Sequence, residues 1–250
     1  MNTLAKVFVA LIIAASGFVV QAQHTPEKGP APLNSPTGEI DIPHSADAQD
    51  ILDRYIKAIG GKDKVSAVES YTMTAEAEMQ GQKLDLLMKK TADGKFMQDV
   101  MVGGNSMSKQ VFDGEKGYMV MQGQRMDMGD EQIVQVKKEA MPFPELEYMD
   151  NSEITLEGEE MIDGSKAHKL KISKEKIAFY DVESGLKVQE TITAEMNGQQ
   201  MSSTISYKDY QEVSGVKFPF VIGQTLGPQS FEFQVKEIKV NEGVTDSDFE

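Results

Sequence analysis

The stretch MTAEAEMQGQKLDLLMKK, residues 73–90, decides how this chain is built. Apolar and polar residues alternate on both sides of Gln80-Gly81. A period of two is the pattern of a strand with one buried face. A two-residue loop at Gln80-Gly81 pairs Met79 with Gln82, Ala77 with Leu84, Ala75 with Leu86 and Met73 with Met88. The apolar residues then share one face, and Glu78 stands opposite Lys83 on the other. A slip of one residue would turn the whole apolar set outward, so the register is strongly specified.

The same phrase returns as MQGQ at 121–124 and as MNGQ at 196–199. A loop at Gln122-Gly123 places Met119, Met121, Met126 and Met128 on one face. A loop at Asn197-Gly198 places Val188, Ile192, Ala194 and Met196 beside Met201, Ile205 and Tyr207. Gly supplies the positive φ that such tight loops need, and Asn tolerates it. The turn at Asp93-Gly94 leaves two registers open: a three-residue loop turns Phe96, Val100 and Val102 inward, a two-residue loop favours Met97 and Met101. With the turn dipeptides Asp113-Gly114 and Asp163-Gly164, the pattern predicts about ten strands of one antiparallel sheet.

Two segments break the period. Ala48, Ile51, Leu52, Tyr55, Ile56 and Ile59 fall on one face of a helix. Ser45 or Asp47 can cap its start, and Gly60-Gly61 can end it. A second, shorter helix is expected over 130–141, with Ile133, Val136 and Ala140 on one face, Asp130 as cap and Pro142 as stop. This weak helix and the proline-broken apolar run after it fit a lid. The expected fold class is therefore α+β, with an N-terminal helix, a short lid helix and a long antiparallel sheet.

The first 22 residues read as a secretory signal, with Lys6 before an apolar run and cleavage after Ala22. Residues 23–45 are proline-rich and poor in large apolar residues, which predicts a flexible tether. Residues 46–250 form the expected folded domain. The chain has no cysteine, so neither a disulfide nor a lipid-modified cysteine is expected, and the fold must rest on its core. A net charge of −15 repels nucleic-acid backbones, so no nucleic-acid partner is expected.

Constellations for catalysis are thin. There are three histidines: His24 and His44 fall in the tether, and His168 shares strand parity with Leu170 and Ile172, as a core histidine would. No zinc-protease spacing, nucleophile elbow or phosphate loop occurs. Asp246, Asp248 and Glu250 lack the glycine of a calcium loop and read as a solvated acidic end. No catalytic residue, cofactor or resident metal is expected. The 16 methionines admit two special readings. Met119, Met121, Met126 and Met128 could offer soft thioethers to Cu(I). Alternatively, flexible polarizable side chains suit a deformable apolar surface for acyl chains. A plain filled core, with an adaptor role on the outside, has the same composition.

Taken in order, the leader, ILDRYIKAIGGKDKV, the run of strands, FYDVESGLKV, YKDYQEVSGVKFPF and IKVNEGVTDSDF resemble the LolA-like group of periplasmic lipoprotein-sorting proteins. The likeness spans about residues 46–250 and is closest to a branch also found appended to insulinase-like peptidases. It implies a strongly curved half-barrel with helices in its mouth and an apolar cavity for the acyl chains of a lipid or lipoprotein. It also implies a periplasmic location, residues 130–149 as lid, and a transfer partner at the outer or inner membrane. The chain's two arginines, Arg54 and Arg125, match no lid-locking position. The inward hairpin residues are then the expected lining. The first hairpin gives Met73, Met79, Leu84, Leu86 and Met88; the second gives the four methionines from Met119 to Met128; the third gives Ile192, Met196, Met201 and Ile205. Ile133 and Val136 join them from the lid. A monomer is expected.

Overall fold

The computed structural model describes residues 47–250 except Gln80, Gln122, Asn197, Gly198 and Pro228, and it leaves undescribed the side chains of residues 131, 135, 138, 194–196, 199–201, 226 and 229. The expected signal, its cleavage point and the tether lie outside the described residues. No helix among those described is long and apolar enough to cross a membrane.

The chain opens with α1 (Ala48–Ile59), whose six expected apolar residues are all buried. The Asp47 carboxylate accepts the Asp50 N–H at 2.8 Å, capping the start. Gly60 ends the helix at φ 142°, and a Cβ there would stand 2.5 Å from the Gly215 carbonyl oxygen. Only glycine fits both the conformation and the space. A short α2 (Lys62–Ser66) follows.

Among the described residues, thirteen strands rather than about ten then form one antiparallel sheet. β1 (Ser70–Met79), β2 (Gln82–Thr91), β3 (Phe96–Val102), β4 (Asn105–Phe112), β5 (Gly117–Met121) and β6 (Gln124–Asp127) meander outward from the sheet's middle. The chain then crosses through α3 (Asp130–Glu139) and α4 (Glu145–Tyr148) to the opposite edge. From there β7 (Thr155–Ile162), β8 (Ser165–Lys171), β9 (Lys176–Asp181), β10 (Lys187–Met196), β11 (Gln199–Val213), β12 (Val216–Leu226) and β13 (Gln229–Val240) return, and β13 pairs with β1. The edges β6 and β7 do not pair, so the sheet stays open. Residues 128–154 are the covalent bridge between those edges.

The first hairpin has the expected register from Met73↔Met88 to Met79↔Gln82. The second pairs Met119 with Met126 and Met121 with Gln124, and the third pairs Met196 with Gln199. At Asp93-Gly94 the three-residue loop holds: the Thr91 N–H donates to the Lys95 carbonyl at 3.1 Å, and Phe96 and Val100 are buried inward. Met97 is buried too, but on the outer face with Val111 and Phe249. That small outer cluster overturns the reading of a freely solvated acidic end. A 3-10 turn at Asp246–Phe249 docks there, with Asp248 on Lys89 and Asp246 on Lys95, each at 2.6 Å.

The main core is a single cluster on the concave face, fed by α1, both flanks of the sheet and the bridge. The polar contacts of Glu139 reveal the curvature. Strands β2 and β9 are six places apart in the sheet order, about 29 Å in a flat sheet. Yet Glu139 touches Lys90 of β2 and Lys176 of β9. Only a deeply bent sheet allows one residue to reach both.

Candidate functional site

Beneath the bridge lies a cavity of about 120 Å³. Its apolar wall includes Met73, Met88, Phe143, Phe218, Ile222 and Ile238. Its polar wall was not foreseen. Lys90, Lys176, Lys187, Glu139, Glu145 and Glu190 all face it, joined by the tyrosines Tyr55, Tyr71, Tyr207 and Tyr210. The expected oily hollow is thus small and carries three ammonium groups and three carboxylates. Its volume lies below the roughly 300 Å³ at which small-molecule pockets begin.

The pairing is close. Lys176 Nζ stands 2.7 Å from Glu139 Oε2 and 3.3 Å from Glu190 Oε2. Lys187 Nζ stands 2.8 Å from Glu145 Oε1 and 3.5 Å from Glu190 Oε2. Lys90 Nζ donates to the carbonyl oxygens of Glu139 at 2.6 Å and Met141 at 3.3 Å. The Tyr148 hydroxyl donates to Glu139 Oε1 at 3.4 Å, and the Tyr210 hydroxyl to the Lys187 carbonyl at 2.8 Å. Lys176 is only 6% exposed, and Glu145 and Glu190 only 2%. Charges so deeply buried persist only when paired.

Position in the chain gives the cluster two halves. Lys90, Lys176, Lys187 and Glu190 sit on strands, while Glu139 ends α3 and Glu145 begins α4. The bridge therefore contributes only carboxylates, and the sheet all three ammonium groups. Burial alone would raise the Glu190 carboxyl, but Lys176 and Lys187 outweigh it and lower its pKa to about 2. Burial opposes the charge on Lys176, yet Glu139 and Glu190 keep that group well above the ordinary lysine range. For Lys90 burial wins, and its pKa falls to about 8.

Of the described residues expected to line a hollow, only Met73 and Met88 face this cavity. Leu84, Leu86, Met119, Met128, Val136 and Ile205 are buried in the core away from it. Met79, Met121, Ile133 and Ile192 are partly buried against that core. Met126 corrects the expectation: it is 45% exposed, because β6 is an edge strand with no outer neighbour. The side chains of Met196 and Met201 lie outside the described residues. The four thioethers of the second hairpin thus divide between core and surface. His168 is partly buried, with Nδ1 3.6 Å from Glu159 Oε1.

Part of the missed cluster had a signal. Lys90 shares parity with Leu84, Leu86 and Met88, and Glu190 shares it with Ile192 and Met196. A charge at an inward strand position calls for a buried partner. The partners Glu139 and Glu145 lie where no strand parity exists to mark them.

No protein-family model matches the chain, and no curated protein matches it. Solved structures do. A LolA superfamily protein from Nitrosomonas europaea aligns at a TM-score of 0.53 and 11% identity, over 82% of this chain and 98% of that one. A DUF1329 family protein from Desulfovibrio piger aligns at 0.50 and 10% identity, over 80% of this chain and 95% of that one. At such identities the likeness is one of fold, and the fold of this protein, an open, bent antiparallel sheet with helices in its mouth, is LolA-like.

Proposed function

We propose that this protein is an exported, non-catalytic carrier that holds acyl chains of a lipid or lipoprotein on the concave face of its sheet, with residues 128–154 as the lid. One observation carries the reading: a single segment, tied to both open edges, covers the concave core and is fastened to the sheet by a few polar bonds. The LolA-like fold supports it. The small cavity is then the space left beneath the closed lid. Lifting the lid would uncover Met73, Met88, Phe218 and Ile222 for a chain to occupy. Burial of that chain would supply about 25 cal/mol per Å² of apolar surface before ordering costs. A transfer partner at either membrane would receive the cargo.

Gentle extraction followed by native mass spectrometry tests this reading, together with uptake of a fluorescent fatty acid. Co-purified lipid and saturable uptake are expected. A ligand-free protein that takes up nothing would favour the rival reading, an adaptor whose filled core only supports an outer binding face. The small cavity volume favours that rival, and the buried charges argue against it, since a merely filled core has no need of six ionised groups.

A further inference from the structure

The two halves of the ionic cluster carry opposite net charge. The sheet holds three ammonium groups and one carboxylate, and the lid adds the two carboxylates of Glu139 and Glu145. With the lid down the six charges balance. With the lid lifted, the sheet's share is left with an excess of two positive charges in a half-enclosed apolar hollow. A neutral hydrocarbon guest would bury that excess without compensation. The guest must supply what the lid removes.

We propose that the ligand ends in an anionic oxygen group, a carboxylate or a phosphate, which takes the places of Glu139 and Glu145 on Lys176 and Lys187. The inference rests on the carrier reading and adds the chemistry of the headgroup. Further donors stand ready. Tyr180, whose ring lies 5.3 Å from that of the cavity residue Tyr55, has a buried hydroxyl with no hydrogen-bond partner among the described residues. Tyr71 lines the cavity, and among the described residues its hydroxyl donates only to the Met88 thioether, at 3.6 Å. A thioether is a weak acceptor, and an anionic oxygen is a stronger one. The lid carboxylates thus act as an internal stand-in for the ligand. Binding exchanges one set of charge-assisted bonds for another, and the apolar tail supplies the surplus.

Calorimetric titration of the protein with decanoate, decyl phosphate, decanol and inorganic phosphate tests the proposal. Both decyl anions should bind at least tenfold more tightly than decanol. Inorganic phosphate should bind far more weakly than decyl phosphate. Lys176→Met with Lys187→Met should reduce the preference for anions to within about twofold. Because that variant could fail to fold, Glu145→Gln is the second arm. It weakens the internal competitor and should raise decanoate affinity at least threefold, a gain that misfolding cannot produce. Decanol binding as tightly as decanoate would overturn the headgroup inference and leave the carrier reading intact. Phosphate binding as tightly as decyl phosphate would mean a site for free anions, overturning the assignment to a lipid. Binding of no decyl compound, by either the parent protein or Glu145→Gln, would remove both readings.

Discussion

Glu139 and Lys176 stand 2.7 Å apart and join the end of the lid helix to the ninth of thirteen strands, across the mouth of the bent sheet. With Glu145 and Lys187 at 2.8 Å they form two buried ion pairs between lid and sheet, beside the Lys90 bonds to the Glu139 and Met141 carbonyls and the apolar contacts of the core. Breaking one tie leaves its lysine dependent on Glu190, which the other lysine shares, at a cost of up to about 3–5 kcal/mol. That cost falls on lid closure and not on the sheet, whose ladders do not depend on the ties.

Glu139→Gln should therefore loosen the lid selectively. Hydrogen exchange should accelerate over residues 130–149, while β1, β2 and β13 keep the protection of the parent protein. Uniform acceleration across the sheet would show that the ties are structural throughout.

The cluster also sets a dependence on pH. Glu190 has its folded pKa lowered to about 2, so its contribution is full above the unfolded value of about 4.3 and is lost as pH falls toward 2. Up to roughly 3 kcal/mol should disappear over that window in urea titrations, and Glu190→Gln should flatten the slope. Lys90 acts in the opposite sense. Its folded pKa is lowered to about 8, so between pH 8 and 10 the unfolded chain binds more protons and stability rises. Lys90→Met should remove a gain of roughly 2 kcal/mol over that interval.

Gly60→Ala should destabilise the fold by roughly 2 kcal/mol, because it meets both a positive φ and the Gly215 carbonyl. Leu86→Ala should cost about 2–5 kcal/mol by leaving a cavity in the concave core, whereas Met161→Ala, at a side chain 63% exposed, should stay within about 0.5 kcal/mol. Chemical denaturation of the three variants checks the contrast.

Legibility in the sequence followed periodicity. The hairpin from Met73 to Met88 and the buried face of α1 were readable because one period held over ten residues or more, and the loops supplied their own register marks. The strand count came out low where pattern was weak: β7 carries Glu157, Glu159 and Glu160 around Gly158 with no apolar alternation, so only the turn at Asp163-Gly164 marks it. The site was harder. Met73 and Met88 were legible because apolar parity marks an inward residue. The charged wall was not, because a lysine at strand parity proves buried only once its glutamate is found, and Glu139 and Glu145 approach from a segment whose placement depends on how both sheet edges bend. Met126 failed for the converse reason, since parity gives a face but cannot tell an inner strand from an edge.

If ligand enters beneath the lid, the methyl groups of the methionines will report it by NMR. Met73 and Met88 face the cavity, while Met126 and Met161 are exposed far along other strands. On titration with decanoate the Met73 and Met88 methyls should shift saturably, with Met126 and Met161 unmoved. Shifts confined to the exposed methionines, or no shift at saturating ligand, would contradict it.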